Sequence, residues 1–224
     1  TIGRQLFSIF GVFQVLFATL QGISGGSDQI TRETRGGTLG LLGLTPLSCF
    51  RIAFGKFQAA LAQPLMVVLA GTPVLAICIF LGGVPASSLA WCTGLSLACG
   101  ALGAGTALLC SSCLKTGAGA AISSVVILSL YSIAPVLLLL VLARDYSNMQ
   151  LVIGIISCLH PAWAMGLVMN GGFGPAWLSL DQWMVAVPVS FAQALLLVWL
   201  TGRRLRVLLE SRSTLARLET LLFP

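Results

Sequence analysis

Ile30-Thr31-Arg32-Glu33-Thr34-Arg35-Gly36-Gly37-Thr38-Leu39-Gly40-Leu41-Leu42-Gly43-Leu44-Thr45-Pro46-Leu47-Ser48 is a polar and then leucine-rich island between two long apolar runs. About 20 apolar residues are enough for a helix to cross a bilayer, and the flanking runs, about 6–23 and 57–81, have that length. The charged island between them therefore has to lie outside the hydrocarbon, where a soluble partner can reach it. The side on which it lies sets the direction of every helix that follows.

Composition agrees with this reading. Hydrophobic residues make up 57% of the 224 residues, charged residues only 8%, and the mean hydropathy is +1.00. A soluble domain carries about 25% charged residues, so the chain is read as an all-helical polytopic membrane protein. After 57–81 come apolar segments at about 86–114, 120–143, 151–169 and 184–200. The segment at 151–169 is interrupted by His160-Pro161 and followed by Gly171-Gly172-Phe173-Gly174-Pro175.

The net charge of +6 reflects sorting across a membrane rather than affinity for nucleic acid, and no nucleic-acid partner is expected. Nine of the twelve Lys and Arg fall in two clusters: Arg32, Arg35, Arg51 and Lys56, then Arg203, Arg204, Arg206, Arg212 and Arg217. The positive-inside rule puts both clusters in the cytoplasm. A full crossing by 151–169 would strand the second cluster outside. A segment that dips in and turns back at His160-Pro161 would not, since irregular backbone at membrane depth is tolerated where protein buries it.

The expected fold is thus a single transmembrane domain over 1–224. It has five full transmembrane helices and one external re-entrant or interfacial segment at 151–175. A cytoplasmic loop at 27–56 and a cytoplasmic amphipathic tail at 203–224 complete it. The first span then runs inward and puts Thr1 outside, which a further span ahead of it would make natural.

Within the island, Gln29–Arg35 reads as a polar stalk extending the first helix, which Gly36-Gly37 breaks. Thr38 can cap a new short helix on which Leu39, Leu42 and Leu41 project together, and Thr45-Pro46 ends it. A short helix with an exposed leucine face fits a socket on another protein, or equally an interfacial position on lipid headgroups.

Elsewhere the residue types speak for architecture. The glycine and alanine run around Gly94, Ala98, Gly100 and Gly103 permits close helix packing; Pro64, Pro73 and Pro135 are expected kinks. Cys110-x-x-Cys113 has redox or zinc spacing, but near the end of a membrane helix it reads better as small apolar packing. The apolar spans contain no carboxylate, which argues against a proton- or sodium-driven carrier. The chain has no G-x-x-x-x-G-K-[ST] phosphate loop. If ATP drives it, another chain must bind the nucleotide.

The run Arg32-Glu33-Thr34-Arg35-Gly36-Gly37-Thr38-Leu39 through Thr45-Pro46-Leu47-Ser48, with Gly55-Lys56 after it, resembles the membrane (permease) subunits of type-2 ABC transporters. That family carries an E-R-E-x-G-T-L-E-x-L-L-x-T-P-L-S run followed by a Gly-Lys pair. Two departures, Thr34 and Gly40, remove acids that are usual there, which weakens the expected charge pairing.

The resemblance implies a transport subunit, not itself an enzyme, that couples ATP hydrolysis in a separate cytoplasmic ATPase to substrate movement, with export the favoured direction. It implies that Arg32, Glu33, Arg35, Thr38, Leu39, Leu41, Leu42, Thr45 and Pro46 dock that ATPase. A second permease subunit and membrane lipids would be the other partners. ATP and Mg would sit on the ATPase, with no cofactor on this chain, in what is expected to be a bacterial plasma membrane. His160 and Pro161 are carried only as a structural break. Two other readings stay open: a passive channel or membrane scaffold without an ATPase, and a membrane-embedded redox enzyme using Cys110 and Cys113.

Overall fold

The computed structural model describes residues 2–38, 46–82, 84–142, 160–169 and 181–222. Their regular structure is helical throughout: α1 (Ile2–Ser27), α2 (Thr31–Arg35), α3 (Cys49–Phe80), α4 (Ala86–Cys113), α5 (Gly117–Leu142), α6 (Pro161–Met169) and α7 (Asp181–Leu222). Five helices are long and apolar enough to cross a membrane. The chain is an all-α, multi-pass membrane protein.

α4 is the central helix. In its apolar window 78% of residues are buried, against 39% or less for the other four candidate spans. Small residues put it there, because helices in lipid associate through van der Waals fit rather than through a hydrophobic drive. A Cβ on Gly22 of α1 would collide with the Gly100 carbonyl oxygen of α4, and one on Gly103 would stand 2.7 Å from the Thr19 carbonyl oxygen. The backbones touch where side chains would otherwise hold them apart. Pro64 of α3 packs on the same Gly100.

These close approaches also fix direction. Gly3 faces the α3 end at Cys78–Gly82 while Gly25 faces Ala60, so α1 and α3 are antiparallel. Gly22 meets Gly100 and Gly26 meets Ala104, so α1 and α4 run the same way. Gly94 faces Val187 and Gly105 faces Ala194 and Leu197, so α7 runs with α4. α5 starts beside Asp28 and runs opposite to them, with Tyr131 Oη donating to Gln193 Oε1 of α7 at 3.2 Å.

The end of α5 and the start of α7 thus lie on the same side of the bundle. Gly202 lies against the backbone of Cys49 and Phe50, so Arg203, Arg204 and Arg206 share an end with the island and with Lys115. This is the basic end of the molecule.

Three boundaries differ from the sequence expectation. α1 extends beyond 6–23 at both ends. α3 starts at Cys49, so residues 49–56, assigned to the loop, are helix; the Ser48 side chain caps it by accepting from the Arg51 N–H at 3.4 Å, as an N-cap serine does. The last span and the basic tail, expected as separate segments, are one continuous α7. After Pro188 it contains no proline, and its single glycine, Gly202, is packed against Phe50. Leu205 is buried and Arg206 pairs with Glu210 at 2.8 Å on the exposed side, so the tail is amphipathic as far as its side chains are described.

His160 and Pro161 begin α6. Proline is at home in a first helical turn, where its missing N–H has no partner to lose. His160 Nδ1 accepts the Ala162 N–H at 3.2 Å, and the His160 carbonyl accepts from Trp163 and Ala164. Nε2 lies 3.0 Å from Ser132 Oγ, which donates to the Leu128 carbonyl oxygen at 2.9 Å. With Nδ1 accepting, the network assigns the proton to Nε2. Ser132 is ten residues, about 15 Å of helix, short of the α5 end; His160 thus lies well inside the bundle. The remainder of 151–175 lies outside the described residues.

Candidate functional site

The island is clasped to the basic end by side chains from three helices. α1 ends at Ser27, and residues 28–30 make one irregular turn in which Arg32 N–H still reaches the Asp28 carbonyl oxygen at 3.1 Å. α2 then runs five residues. A helix start leaves backbone N–H groups without partners, and Ile30 at this start offers no side-chain cap. Ser111 of α4 supplies one. Its Oγ lies 3.1 Å from both the Ile30 and Thr31 nitrogens, which are buried.

The return contact comes from Arg35, whose Nε donates to the Lys115 carbonyl oxygen at 2.7 Å. That carbonyl lies just past the end of α4, where a positive charge complements the helix dipole. α2 and the end of α4 thus satisfy each other's loose backbone groups. The Asp28 carboxylate lies at the positive end of α5, in the space that a Cβ on Gly117 would take.

α3 closes the clasp through Lys56. Its Nζ donates to the Gln29 carbonyl oxygen at 2.9 Å and lies 2.5 Å from Glu33 Oε1. The two side chains are 13% and 26% exposed, so this pair is better shielded than the Asp28–Arg32 pair, which is 3.9 Å apart with both partners largely in solvent. A hydrogen bond to a charged group contributes roughly 1.5–3 kcal/mol when sheltered, whereas an exposed pair gives about 1 kcal/mol or less. Glu33 Oε2 is buried without a hydrogen-bond partner among the described residues. Beneath the clasp, Ile30, Ala53, Phe57 and Leu108 pack in one apolar cluster with Val198 and Leu205 of α7.

The chain matches no protein-family model and no curated protein.

The structure divides the sequence-selected residues into two groups. Arg32, Thr38 and Pro46 face outward and are exposed, the Arg32 side chain by 83%. Glu33 turns inward onto Lys56, and Arg35, though exposed, commits its Nε to Lys115. Gly36-Gly37 forms the expected turn, with Gly37 at φ 70, in the left-handed region that glycine enters freely. Leu39, Leu41, Leu42 and Thr45 lie outside the described residues, as does the short helix expected there.

Lys56, Ser111 and Lys115 were not selected from the sequence as site residues. Lys56 carried a signal, as part of the Gly55-Lys56 pair and the last cation before an apolar run. Ser111 had none, because a serine 80 residues from its partner looks like any other small residue in a packed helix. Among the described residues no three His, Cys, Asp or Glu side chains cluster as a metal site would require. Cys110 is buried and Cys113 exposed on the same helix, both as free thiols.

Proposed function

We propose that this chain is the membrane subunit of an ATP-driven transporter of the ABC type, working as an exporter in a bacterial plasma membrane. It would pair with a second permease subunit and with a separate ATPase that carries ATP and Mg. The basic end then faces the cytoplasm, following the positive-inside rule. One observation carries the reading: the stalk before residues 36–48 is tied to α4 through Ser111 and Lys115 and to α3 through Lys56. A partner that displaces the island therefore moves three membrane helices together. The likeness of residues 32–48 and 55–56 to the permease loop supplies the class of partner.

The test is co-purification with candidate phosphate-loop ATPases, comparing wild type with Leu39→Asp and Leu42→Asp. Loss of the ATPase from both variants, with the membrane domain still monodisperse, is expected. Full retention by both would overturn the docking assignment. Lys56→Met should keep the ATPase bound but lower substrate-stimulated hydrolysis, because docking survives while its link to α3 is cut.

A further inference from the structure

We propose that a cleft between α1 and α5 holds the distal part of one acyl chain of a bilayer phospholipid from the leaflet at the basic end. This inference needs only the membrane topology and stands apart from the transporter reading. The cleft has a volume of about 440 Å³. Its floor is apolar and closed: Val15 and Ile23 of α1 with Cys99 and Leu102 of α4, each 5–8% exposed. Its rims are Leu16 and Leu20 on one side and Val125 and Ile133 on the other, each 42–53% exposed. These rims belong to two membrane-crossing helices, so the mouth opens sideways, into hydrocarbon.

The far end is shut by His160 and Pro161. Of the cleft's polar side chains, Ser129 is exposed on α5 and the other three, Thr19, Ser132 and His160, are bonded inside the protein. His160 Nδ1 accepts from Ala162 and Nε2 bonds Ser132, while Ser132 donates to Leu128 and Thr19 donates to the Val15 carbonyl oxygen at 2.7 Å. Such walls offer little to a hydrophilic ligand and suit a chain of methylenes.

Dimensions select the occupant. Val15 to Ile23, like Val125 to Ile133, is eight residues, about 12 Å of helix rise, close to the roughly 15 Å depth of one hydrocarbon leaflet. Over that length a volume of about 440 Å³ accommodates one extended hydrocarbon chain lying along the two helices. Val125 lies about 12 Å along α5 from its start at the basic end, so a chain anchored in that leaflet enters with its terminus pointing toward His160.

The experiment uses the full chain in phosphatidylcholine vesicles containing a trace of phosphatidylcholine with a photoactivatable diazirine near the acyl terminus. Labelled residues are mapped by mass spectrometry. Labelling of Leu16, Leu20, Leu128 and Ile133 should exceed by severalfold that of Ile122, Val126 and Leu130, which are 51–66% exposed on α5 outside the cleft. Ser129→Trp, which fills the mouth, should abolish the excess, whereas Val126→Trp should leave it unchanged. Equal labelling inside and outside the cleft in wild type would overturn the proposal whether or not the tryptophan variants fold. Protection of the cleft together with copy-to-copy cross-linking through Leu20→Cys would overturn it in favour of a second copy.

Discussion

Lys56 reaches across from the start of α3 to lie 2.5 Å from Glu33 Oε1 while also donating to the Gln29 carbonyl oxygen. A single ammonium thereby holds both a backbone turn and a carboxylate, at a site where neither residue is fully solvated. Replacing Lys56 by Met leaves a half-sheltered carboxylate and an unfilled carbonyl, a loss of about 1–3 kcal/mol. Amide exchange over 29–35 should quicken and the midpoint of thermal unfolding in detergent should fall. Lys56→Met with Glu33→Gln should recover part of the loss, because the stranded charge is gone. Wild-type exchange in the single variant would show that the pair carries no weight.

Ser111→Ala removes the acceptor for two buried N–H groups at once. Destabilisation of about 1–3 kcal/mol is expected. It should appear first as loss of exchange protection at Ile30 and Thr31, with α4 otherwise unaffected. Unchanged protection at those two amides would contradict the capping role.

Two glycines should respond in opposite senses. Gly22→Val drives a side chain into the Gly100 backbone, and overpacking of this kind costs about 3 kcal/mol; α1 would separate from α4 and monodisperse protein would be lost. Gly55→Ala meets nothing within 4 Å and sits inside α3, so it should stabilise by about 0.5–1 kcal/mol. Thermal unfolding of the two variants beside wild type decides it.

Topology can be read with single cysteines in a background where the native thiols are replaced by alanine or serine. Thr38→Cys, Lys115→Cys and Arg204→Cys should react with a membrane-impermeant maleimide from one side of the membrane. Ser87→Cys, exposed at the start of α4, should react only from the other. Labelling of Arg204→Cys together with Ser87→Cys would require residues 143–180 to cross, and would sink the assignment of α7.

Much of this was legible beforehand, for a physical reason. A bilayer demands long apolar runs and sorts charge by side, and both are one-dimensional properties of a chain. The five spans and the return of the arginine-rich tail to the island end could therefore be read from residues alone. The start of α3 could not, because residues 49–56 hold Arg51 and Lys56, and hydropathy alone assigns such charges to a loop. A Ser48 cap and a contact between Gly202 and Phe50 let that helix begin earlier. The pairing of Glu33 was hidden for a similar reason: nothing local shows that a carboxylate in a polar loop meets a lysine 23 residues later.

The sequence by itself determined the class of the protein, the five spans among its described residues and the position of its polar island, since each follows from composition and order along the chain. Only the tertiary structure decided which polar side chains hold the island and which face outward. It also decided that α4 lies at the centre and that a cleft separates α1 from α5. Those outcomes depend on which small residues let backbones meet and on hydrogen bonds between residues 80 positions apart. No local pattern records such distances.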